Sequence, residues 1–563
     1  MLNKDSDQNK TDLKSVLFPI SFTPSGTIET IETHISRVYL TDKFVCKQKK
    51  PVNFGFVDYT TLEKRIFFAK RELSLNRRAC SGVYLDLAEL RQKRDKLFIG
   101  FKGGRLIDVF VRMRRIDSGR FLNNIFKSGE SYIKIDGILK KAAKKIYLFH
   151  INARTSKRIS KFGGYSVYKA NWDDNFLFLI RGTGKEKVTP FFLPVESLES
   201  LRLYYAAFLK STLFSEFIRL RVEGGFVRDV HGDLRMEHIA VLDPGRVNGI
   251  CLMDCVEFDE RYRNQDIYLD IAFLLMDFEF NGYFHESAAF LGYYKNCFNY
   301  EKFIAPFEKY EHSVIPFFKA YRAIVRTKIA LLSPGEDAPA KALKYFNLAV
   351  FYLALSKKRV VILNCGLSGS GKSSLSRLLS GWFYARIVST DEIRRNLFVG
   401  ADKSVRYSAD ANVKVYETML EEGLKEFENG GRQGSGGVIF DATFLKKAHR
   451  EKIINSFNKK DCIFIFVYSK IYDEKEKEEI ILKRLADRFG FSGGDPADKD
   501  YSEADAAVYF SQKKYFEEPS EGEIKEVSTV SALTSAIFVQ IDGSKELKDR
   551  FNELMNDIIK KYC

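Results

Sequence analysis

The segment at residues 366–373, GLSGSGKS, constrains the fold of this chain more than any other part of its sequence. The apolar run VVILN precedes it and the amphipathic run SSLSRLLS follows it, which predicts a buried strand, a tight loop and a helix. Glycines in such a loop let backbone N–H groups converge on phosphate oxygens without a clashing Cβ. Lys372 can neutralise phosphate charge, and the Ser373 hydroxyl can bind Mg²⁺. A coincidental Gly/Ser turn would lack this flanking strand and helix. The residues predicted to bind nucleotide here are Gly366, Leu367, Ser368, Gly369, Ser370, Gly371, Lys372, Ser373 and Ser374.

Two carboxylates follow short apolar strands farther along the chain. Asp391 ends the run RIVSTD, and Asp441 ends the run VIFD. Ligands of parallel α/β sheets bind at the carboxyl ends of the strands, so both side chains are expected near the phosphate loop. One can act as a base toward an acceptor hydroxyl while the other holds Mg²⁺ through water. The alternative for each is a helix cap after a strand.

Four segments, GLSGSGKS, STDEIRR, VIFDATF and LKRLADR, together resemble the P-loop kinase group that contains polynucleotide kinases, zeta-type toxins and gluconate-kinase-like enzymes. The resemblance covers residues 358–563. It implies that Asp391 activates the acceptor, that Arg394 and Thr443 bind it, and that Asp441 and Ser373 serve the metal. It also implies that Arg484 and Arg488, four residues apart on one predicted helix face, close a lid over phosphate. A solvated basic face is the alternative for these two arginines.

The first part of the chain has a different pattern. A hairpin is predicted at 35–47, a helix at 62–79, and strands at 97–101 and 107–113, which together form a small mixed lobe. Residues 119–330 are predicted to be mostly helical, interrupted by a strand-and-loop stretch at 229–258, and a helix at about 340–356 leads to the phosphate-loop unit.

Carboxylates also mark this first part. Asp233 lies in HGDLRMEHI, and Asp254 ends an apolar strand in CLMDCVEF. This pair suits one base and one Mg²⁺ ligand. Upstream, Lys47 ends a hairpin strand and Glu72 lies in the next helix, where an ion pair can fix a phosphate-binding lysine. Singly, these residues also suit a surface lysine, a helix-face charge and a strand-end cap; their order carries the prediction.

That order resembles the aminoglycoside-phosphotransferase branch of the protein-kinase-like fold over residues 30–345. The resemblance implies that Asp233 is the catalytic base, Asp254 a metal ligand, and Lys47 the nucleotide lysine with Glu72 as its partner. It also places Met113 at the lobe hinge near adenine. Three features depart from the family. His238, a candidate metal ligand, stands where a metal-binding Asn is usual, although a neutral imidazole binds Mg²⁺ poorly. No glycine-rich loop precedes Lys47, and Lys49 shares its strand face and can take its role.

The tandem arrangement, with segments such as ETHIS and VRMRR, resembles bifunctional bacterial proteins that join an aminoglycoside-phosphotransferase domain to an ATP-binding domain. The predicted fold is an α+β protein-kinase-like bilobal domain over residues 20–345, followed by an α/β P-loop NTPase domain over 358–563 with a mainly parallel sheet. We also expect residues 1–15, which are polar, to be disordered.

Net charge, cysteine spacing and apolar run length limit which partners and which cellular location we expect for this chain. The net charge is +16 over 563 residues, which suits either a polyanion partner or a lysine-rich solvated surface. The 8 cysteines show no CxxC pair, so neither a zinc site nor a disulfide framework is predicted. No signal peptide or membrane-length apolar run is present in the sequence, and we expect a cytoplasmic, reduced protein without a membrane partner.

The predicted function is that of an ATP-dependent phosphotransferase with two kinase modules. Each would use ATP (or GTP) with Mg²⁺ and transfer phosphate to a hydroxyl of an unidentified small molecule or nucleotide. Two alternatives stay open. The first module can be a regulatory or binding domain, and the second can be a kinase of the 5′-hydroxyl of RNA or DNA.

Overall fold

The computed structural model describes residues 29–53, 55, 57–100, 102–181, 195–333, 335–430, 434–472, 474–490, 506–524 and 535–563. Residues 1–15, predicted to be disordered, lie outside this part of the chain. The chain forms two compact units. The first comprises Met1–Val167, Ile218–Leu274 and Tyr293–Cys297, and the second comprises Tyr168–Phe217, Leu275–Gly292 and Phe298–Cys563. The domain ranges 20–345 and 358–563 stay predictions.

The first unit begins with a six-stranded antiparallel sheet of order β1-β2-β3-β6-β4-β5. Its strands are β1 Glu29–Glu32, β2 Ser36–Leu40, β3 Phe44–Lys49, β4 Tyr84–Lys93, β5 Lys96–Ile99 and β6 Arg105–Arg114. Helix α1, Leu62–Cys80, is capped by the Thr61 hydroxyl, which accepts from Lys64 N at 3.3 Å. The predicted hairpin, helix and last two strands are confirmed, whereas β1 and β4 were not predicted.

The residues between this sheet and residue 358 are mostly helical, as predicted. Its helices are α2 Leu122–Lys127, α3 Tyr132–Asn152, α4 Lys157–Ser160, α5 Tyr165–Arg181, α6 Val195–Leu209, α7 Thr212–Glu223, α8 Glu260–Arg263, α9 Ile267–Phe280, α10 Phe284–Lys295, α11 Tyr300–Phe303, α12 Ala305–Leu332 and α13 Ala338–Lys357. Four short strands interrupt them: β7 Val227–Asp229, β8 Ile239–Val241, β9 Ile250–Leu252 and β10 Asn264–Asp266. These strands pair β7 with β10 and β8 with β9, so the loops between them, which carry Asp233 and Asp254, are fixed at both ends.

The second unit contains a five-stranded, fully parallel sheet of order β12-β13-β11-β14-β15. Its strands are β11 Arg359–Cys365, β12 Ala385–Ser389, β13 Gly437–Asp441, β14 Cys462–Lys470 and β15 Ser535–Asp542. The helices are α14 Lys372–Phe383, α15 Thr390–Leu397, α16 Lys403–Arg406, α17 Ala409–Asn429, α18 Lys447–Phe457, α19 Lys475–Gly490, α20 Ala506–Tyr515 and α21 Leu547–Tyr562. Strand β11 is central and almost entirely buried, which explains its continuous apolar run. The predicted parallel α/β architecture is confirmed.

The cysteines differ from the prediction. Cys80, at the end of α1, and Cys251, on β9, form a disulfide across a sequence separation of 171 residues. The expectation of a fully reduced chain is therefore wrong for this pair, and the reason is that only the tertiary fold brings two such distant residues together. Among the described residues, no helix combines the length and apolar character needed to cross a membrane. The cytoplasmic location stays a prediction.

Candidate active sites

The phosphate loop of the second unit connects β11 to α14. Gly371 precedes the first helical residue, Lys372, with φ +75°, and Gly369 has φ +81°, a backbone region that favours glycine. A Cβ at Gly369 would also lie 2.7 Å from a methyl carbon of Ile481. The loop can therefore pack against α19 only with glycine at this position. Phosphate binding by this loop stays a prediction.

A cavity of about 840 Å³ lies beside this loop at the carboxyl edge of the sheet. The register of the strands explains its carboxylates, since Asp441 pairs with Asn364 on one side and with Ser389 on the other. Asp391 lies two residues after Ser389, and its N–H donates to the Ser389 hydroxyl at 3.3 Å. The predicted site residues that line the cavity are Ser368, Lys372, Ser373, Asp391, Arg394, Asp441 and Thr443.

The side of the cavity formed by α15 and α17 is cationic and aromatic. Arg394, only 8% exposed, donates to Arg406 O at 2.6 Å and to Asn412 Oδ1 at 2.8 Å, and its guanidinium lies 4.5 Å from the Tyr407 ring centre. Tyr416 is hydrogen-bonded to Thr443, and burial raises the pKa of this phenol to about 12. These contacts fix a buried cation and two hydroxyl groups at this wall of the cavity.

Two residues that contact the phosphate loop were missed by sequence reasoning. Ser368 N donates to Gln512 Oε1, on α20, at 3.0 Å. Arg550, on α21 and 2% exposed, donates to Ser370 O at 2.5 Å, and burial lowers its pKa to about 10, with a further contribution from nearby Arg484. These partners are 144 and 180 residues from the loop, so no local pattern could have identified them.

The two arginines predicted to form a lid have different outcomes. Arg484 donates to the carbonyls of Gly543 at 2.6 Å, Ser544 at 2.9 Å and Lys545 at 3.2 Å. This places its guanidinium against the turn that follows β15, so its phosphate role stays a prediction. The side chain of Arg488 lies outside the described residues.

In the first unit, the structure brings Lys47, Glu72 and Asp254 together. Lys47 Nζ lies 3.0 Å from Glu72 Oε1 and 2.6 Å from Asp254 Oδ1. Burial opposes the charge on Asp254, but the Lys47 ammonium outweighs it and the pKa of this carboxyl is lowered. Asp254 also has φ +64°, an uncommon backbone conformation for a residue with a side chain. Met113, on β6, is buried in the same apolar cluster as Val109 and Val111.

Asp233 lies on a loop that is held by its neighbours. Arg235 donates two hydrogen bonds to the Asp233 carboxylate, from Nε to Oδ1 at 2.8 Å and from Nη2 to Oδ2 at 2.9 Å. Asp270 accepts from His231 N at 3.1 Å and from Gly232 N at 2.9 Å, and His231 donates from Nε2 to Met253 O at 2.8 Å. Gly232 has φ +87°, and a Cβ there would lie 2.6 Å from Tyr262 O. The loop conformation is therefore fixed before any substrate binds.

His238 is engaged through both ring nitrogens. Nδ1 lies 2.7 Å from Asp233 O and Nε2 lies 3.2 Å from Arg235 Nη2. Its predicted role as a metal ligand stays a prediction. Among the described residues, no group of three His, Cys, Asp or Glu side chains is arranged to hold a metal ion. Asp254 in the first unit, and Asp441 and Ser373 in the second, carry oxygen donors of the kind that Mg²⁺ prefers, and their metal roles stay predictions.

Comparison with known proteins gives matches to the second unit and to most of the chain. Residues 361–519 match a family model described as an AAA domain. This match lies within the second unit and contains the phosphate loop. An uncharacterized protein of Mycobacterium tuberculosis (strain ATCC 25618 / H37Rv) is 29% identical over 428 residues, covering 74% of this chain and 78% of the relative. A probable gluconokinase of Dictyostelium discoideum is 21% identical over 204 residues, covering 36% of this chain and 86% of the relative.

A solved structure of a choline/ethanolamine kinase family protein from Mesorhizobium loti has a TM-score of 0.36 and 13% identity, covering 67% of this chain and 99% of that one. The predicted architecture, an α+β part followed by an α/β P-loop domain with a parallel sheet, is confirmed. The predicted enzyme class, an ATP-dependent kinase, is also confirmed.

Proposed function

We propose that this chain is a two-module phosphotransferase, in which each module transfers the γ-phosphate of Mg-ATP to a hydroxyl of an unidentified small molecule or nucleotide. The observation that carries the proposal is the cavity beside the phosphate loop, which Lys372, Asp391 and Asp441 line together. A phosphate-binding lysine and two carboxylates at one sheet edge are the parts that phosphoryl transfer requires.

In the second module, the loop N–H groups and Lys372 would hold the β- and γ-phosphates, and Ser373 with Asp441 would hold Mg²⁺. When bound, Mg²⁺ neutralises charge that develops on the phosphate oxygens. Asp391 would orient the acceptor hydroxyl and receive its proton. Arg394 and Thr443 line the same cavity and would position the acceptor.

In the first module, Lys47 would bind nucleotide phosphate and Asp254 would bind Mg²⁺. Asp233 would orient the acceptor hydroxyl, and its side chain is 28% exposed although Arg235 grips both its oxygens. Arg235 therefore lies beside the proposed base Asp233, close to where the transferred phosphate would pass. ATP or GTP can serve as donor in this proposal.

Mass spectrometry of a metabolite extract, incubated with ATP and the full chain, tests both modules. Lys372→Ala should remove one set of phosphorylated products and Asp233→Ala a different set. Lys414→Ala and Asp95→Ala, which change exposed residues of the same types, should keep all products. If neither active-site variant changed any product, the two-module proposal would be wrong.

The alternative for the second module, a 5′-hydroxyl kinase of RNA or DNA, is favoured by the net charge of +16. Such an enzyme should bind an oligonucleotide with an affinity that falls steeply with salt. An affinity that is constant between 50 and 200 mM salt, roughly the range over which phosphate contacts are screened, would exclude this alternative.

A further inference from the structure

Two lysines of β3 share one glutamate of α1 in the first unit. Lys47 Nζ lies 3.0 Å from Glu72 Oε1, and Lys49 Nζ lies 2.8 Å from Glu72 Oε2. Both project from one face of the strand because side chains alternate with a period of two. Their surroundings differ, since the side chain of Lys47 is 17% exposed and that of Lys49 only 2%. Lys47 can therefore reach a nucleotide, whereas Lys49 is enclosed by protein.

A second carboxylate and a tyrosine enclose Lys49. Its Nζ contacts Glu257 Oε1, and the Tyr59 hydroxyl donates to the same oxygen at 2.7 Å. Tyr59 is fully buried, and Lys49 Nζ lies 4.8 Å from its ring centre. Burial disfavours the charge on Lys49, but Glu257 and Glu72 outweigh this effect and raise its pKa. The group is a buried, charged network that is costly to leave half-paired.

This network joins four parts of the first unit. Lys49 lies on β3, Tyr59 precedes α1, Glu72 lies within α1, and Glu257 follows Asp254 by three residues. A second link runs the same way, because Cys255 N donates to Asn76 Oδ1, also on α1, at 2.9 Å. The position of Glu72 is therefore tied directly to the segment that carries Asp254.

We propose that Lys49, Glu257 and Tyr59 form a positioning network that holds the Glu72 carboxylate, and through it the Lys47 ammonium, in place for nucleotide phosphate. The inference rests on the proposed nucleotide site of the first module. Glu72 receives one lysine on each carboxylate oxygen, so Lys49 fixes the rotation of the carboxylate that Lys47 contacts. Without Lys49, buried Glu72 and Glu257 would repel each other, and Lys47 would be left between Glu72 and Asp254.

The charges of the cluster allow positioning to be separated from net charge. Lys47 and Lys49 face the three carboxylates Glu72, Glu257 and Asp254, so the cluster carries one net negative charge. Removing Lys49 and Glu257 together leaves that net charge unchanged. It also removes the buried half-pair that destabilises a single variant. The double variant therefore loses the contact between Lys49 and Glu72 while the net charge of the cluster stays the same.

The test is titration of the full chain with a fluorescent ATP analogue and Mg²⁺, with Lys372→Ala present in every variant so that differences report the first module. We expect Lys47→Met to weaken binding at least tenfold. Lys49→Met and Glu257→Gln should each weaken it about fivefold or more and lower the thermal midpoint.

The double variant Lys49→Met/Glu257→Gln should regain the midpoint but not the affinity. Lys49→Arg should retain part of the affinity, and Lys64→Met, which breaks an exposed Lys–Asp pair, should change neither quantity.

The outcomes separate the two proposals. If Lys47→Met leaves the affinity unchanged, the nucleotide site of the first module is wrong. If Lys47→Met weakens binding but Lys49→Met and Glu257→Gln stay within twofold of Lys64→Met, the positioning network is wrong. An affinity that recovers together with the midpoint in the double variant also overturns it, because the network would then act on stability alone.

Discussion

His231 is fully buried in the first unit, two residues before the predicted base Asp233. Its Nε2–H donates to Met253 O, and its Nδ1 accepts from Asp233 N at 3.3 Å. Burial lowers its pKa to about 4, since the nearby carboxylates do not offset the loss of hydration. The imidazole is therefore neutral at pH 7 and acts as a backbone clamp on the loop that carries Asp233.

This burial predicts a pH dependence of stability. The folded pKa of His231 is depressed from 6.5 to about 4, so the unfolded state binds more protons between these values. The stability that this histidine confers is present above pH 6.5 and is lost as the pH falls toward 4. The free energy of unfolding of the wild type should fall by up to about 3 kcal/mol more than that of His231→Gln over this window.

Urea unfolding of both proteins at several pH values, followed by circular dichroism, measures this difference. Carboxylates titrate in the same range, and comparison of the two proteins cancels their contribution. Parallel stability curves for wild type and His231→Gln between pH 6.5 and 4 would contradict a buried neutral histidine.

At the scale of elements, the disulfide joins α1, which carries Glu72, to β9, which leads to Asp254. We expect 6 reactive thiols from the 8 cysteines when the chain is denatured without reductant, and 8 after reduction. Cys80→Ser should lower the free energy of unfolding of the first unit by roughly 2–5 kcal/mol under oxidising conditions, because the bond closes a long loop in the unfolded state.

Cys46→Ser, at another buried but unbonded cysteine, is the matched control. It should leave the thiol difference between oxidised and reduced chain at two, whereas Cys80→Ser should abolish it. Eight reactive thiols in the unreduced wild type would show that the pair is not bonded.

Elements with a local signature could be predicted, and those that depend on distant partners could not. The phosphate loop and the helix at Leu62–Cys80 follow from local glycine and apolar spacing. Strand β4, Tyr84–Lys93, contains helix-favouring residues such as Ala88 and Glu89, and it is extended because it pairs with β6 along most of its length. The same limit applies to the candidate sites, because only the tertiary fold brings Arg550 and Gln512 to the phosphate loop.

At the scale of the whole molecule, the second unit includes helices from before its parallel sheet. Trp382, on the helix that follows the phosphate loop, is 8% exposed. Its ring centre lies 6.3 Å from that of Phe351 and 6.2 Å from that of Phe284, and Lys319 Nζ lies 4.5 Å from it. These partners precede residue 358, the predicted start of the P-loop domain. A fragment cut there would lose the apolar cover of α14.

Tryptophan fluorescence measures this effect, because the chain has 2 tryptophans and residues 358–563 retain only Trp382. We expect red-shifted emission and a lower thermal midpoint for the fragment 358–563 than for 298–563, which keeps Lys319 and Phe351. The longer fragment should also bind ATP more tightly, since α14 begins at Lys372 and its N-terminus forms part of the proposed phosphate site. Phe351→Ala in 298–563 should reproduce part of the red shift, whereas Leu343→Ala, at a residue already 37% exposed on the same helix, should not.

Equal emission, midpoints and ATP affinities for the two fragments would show that the P-loop domain is complete from residue 358. The shorter unit would then be the one that functions independently.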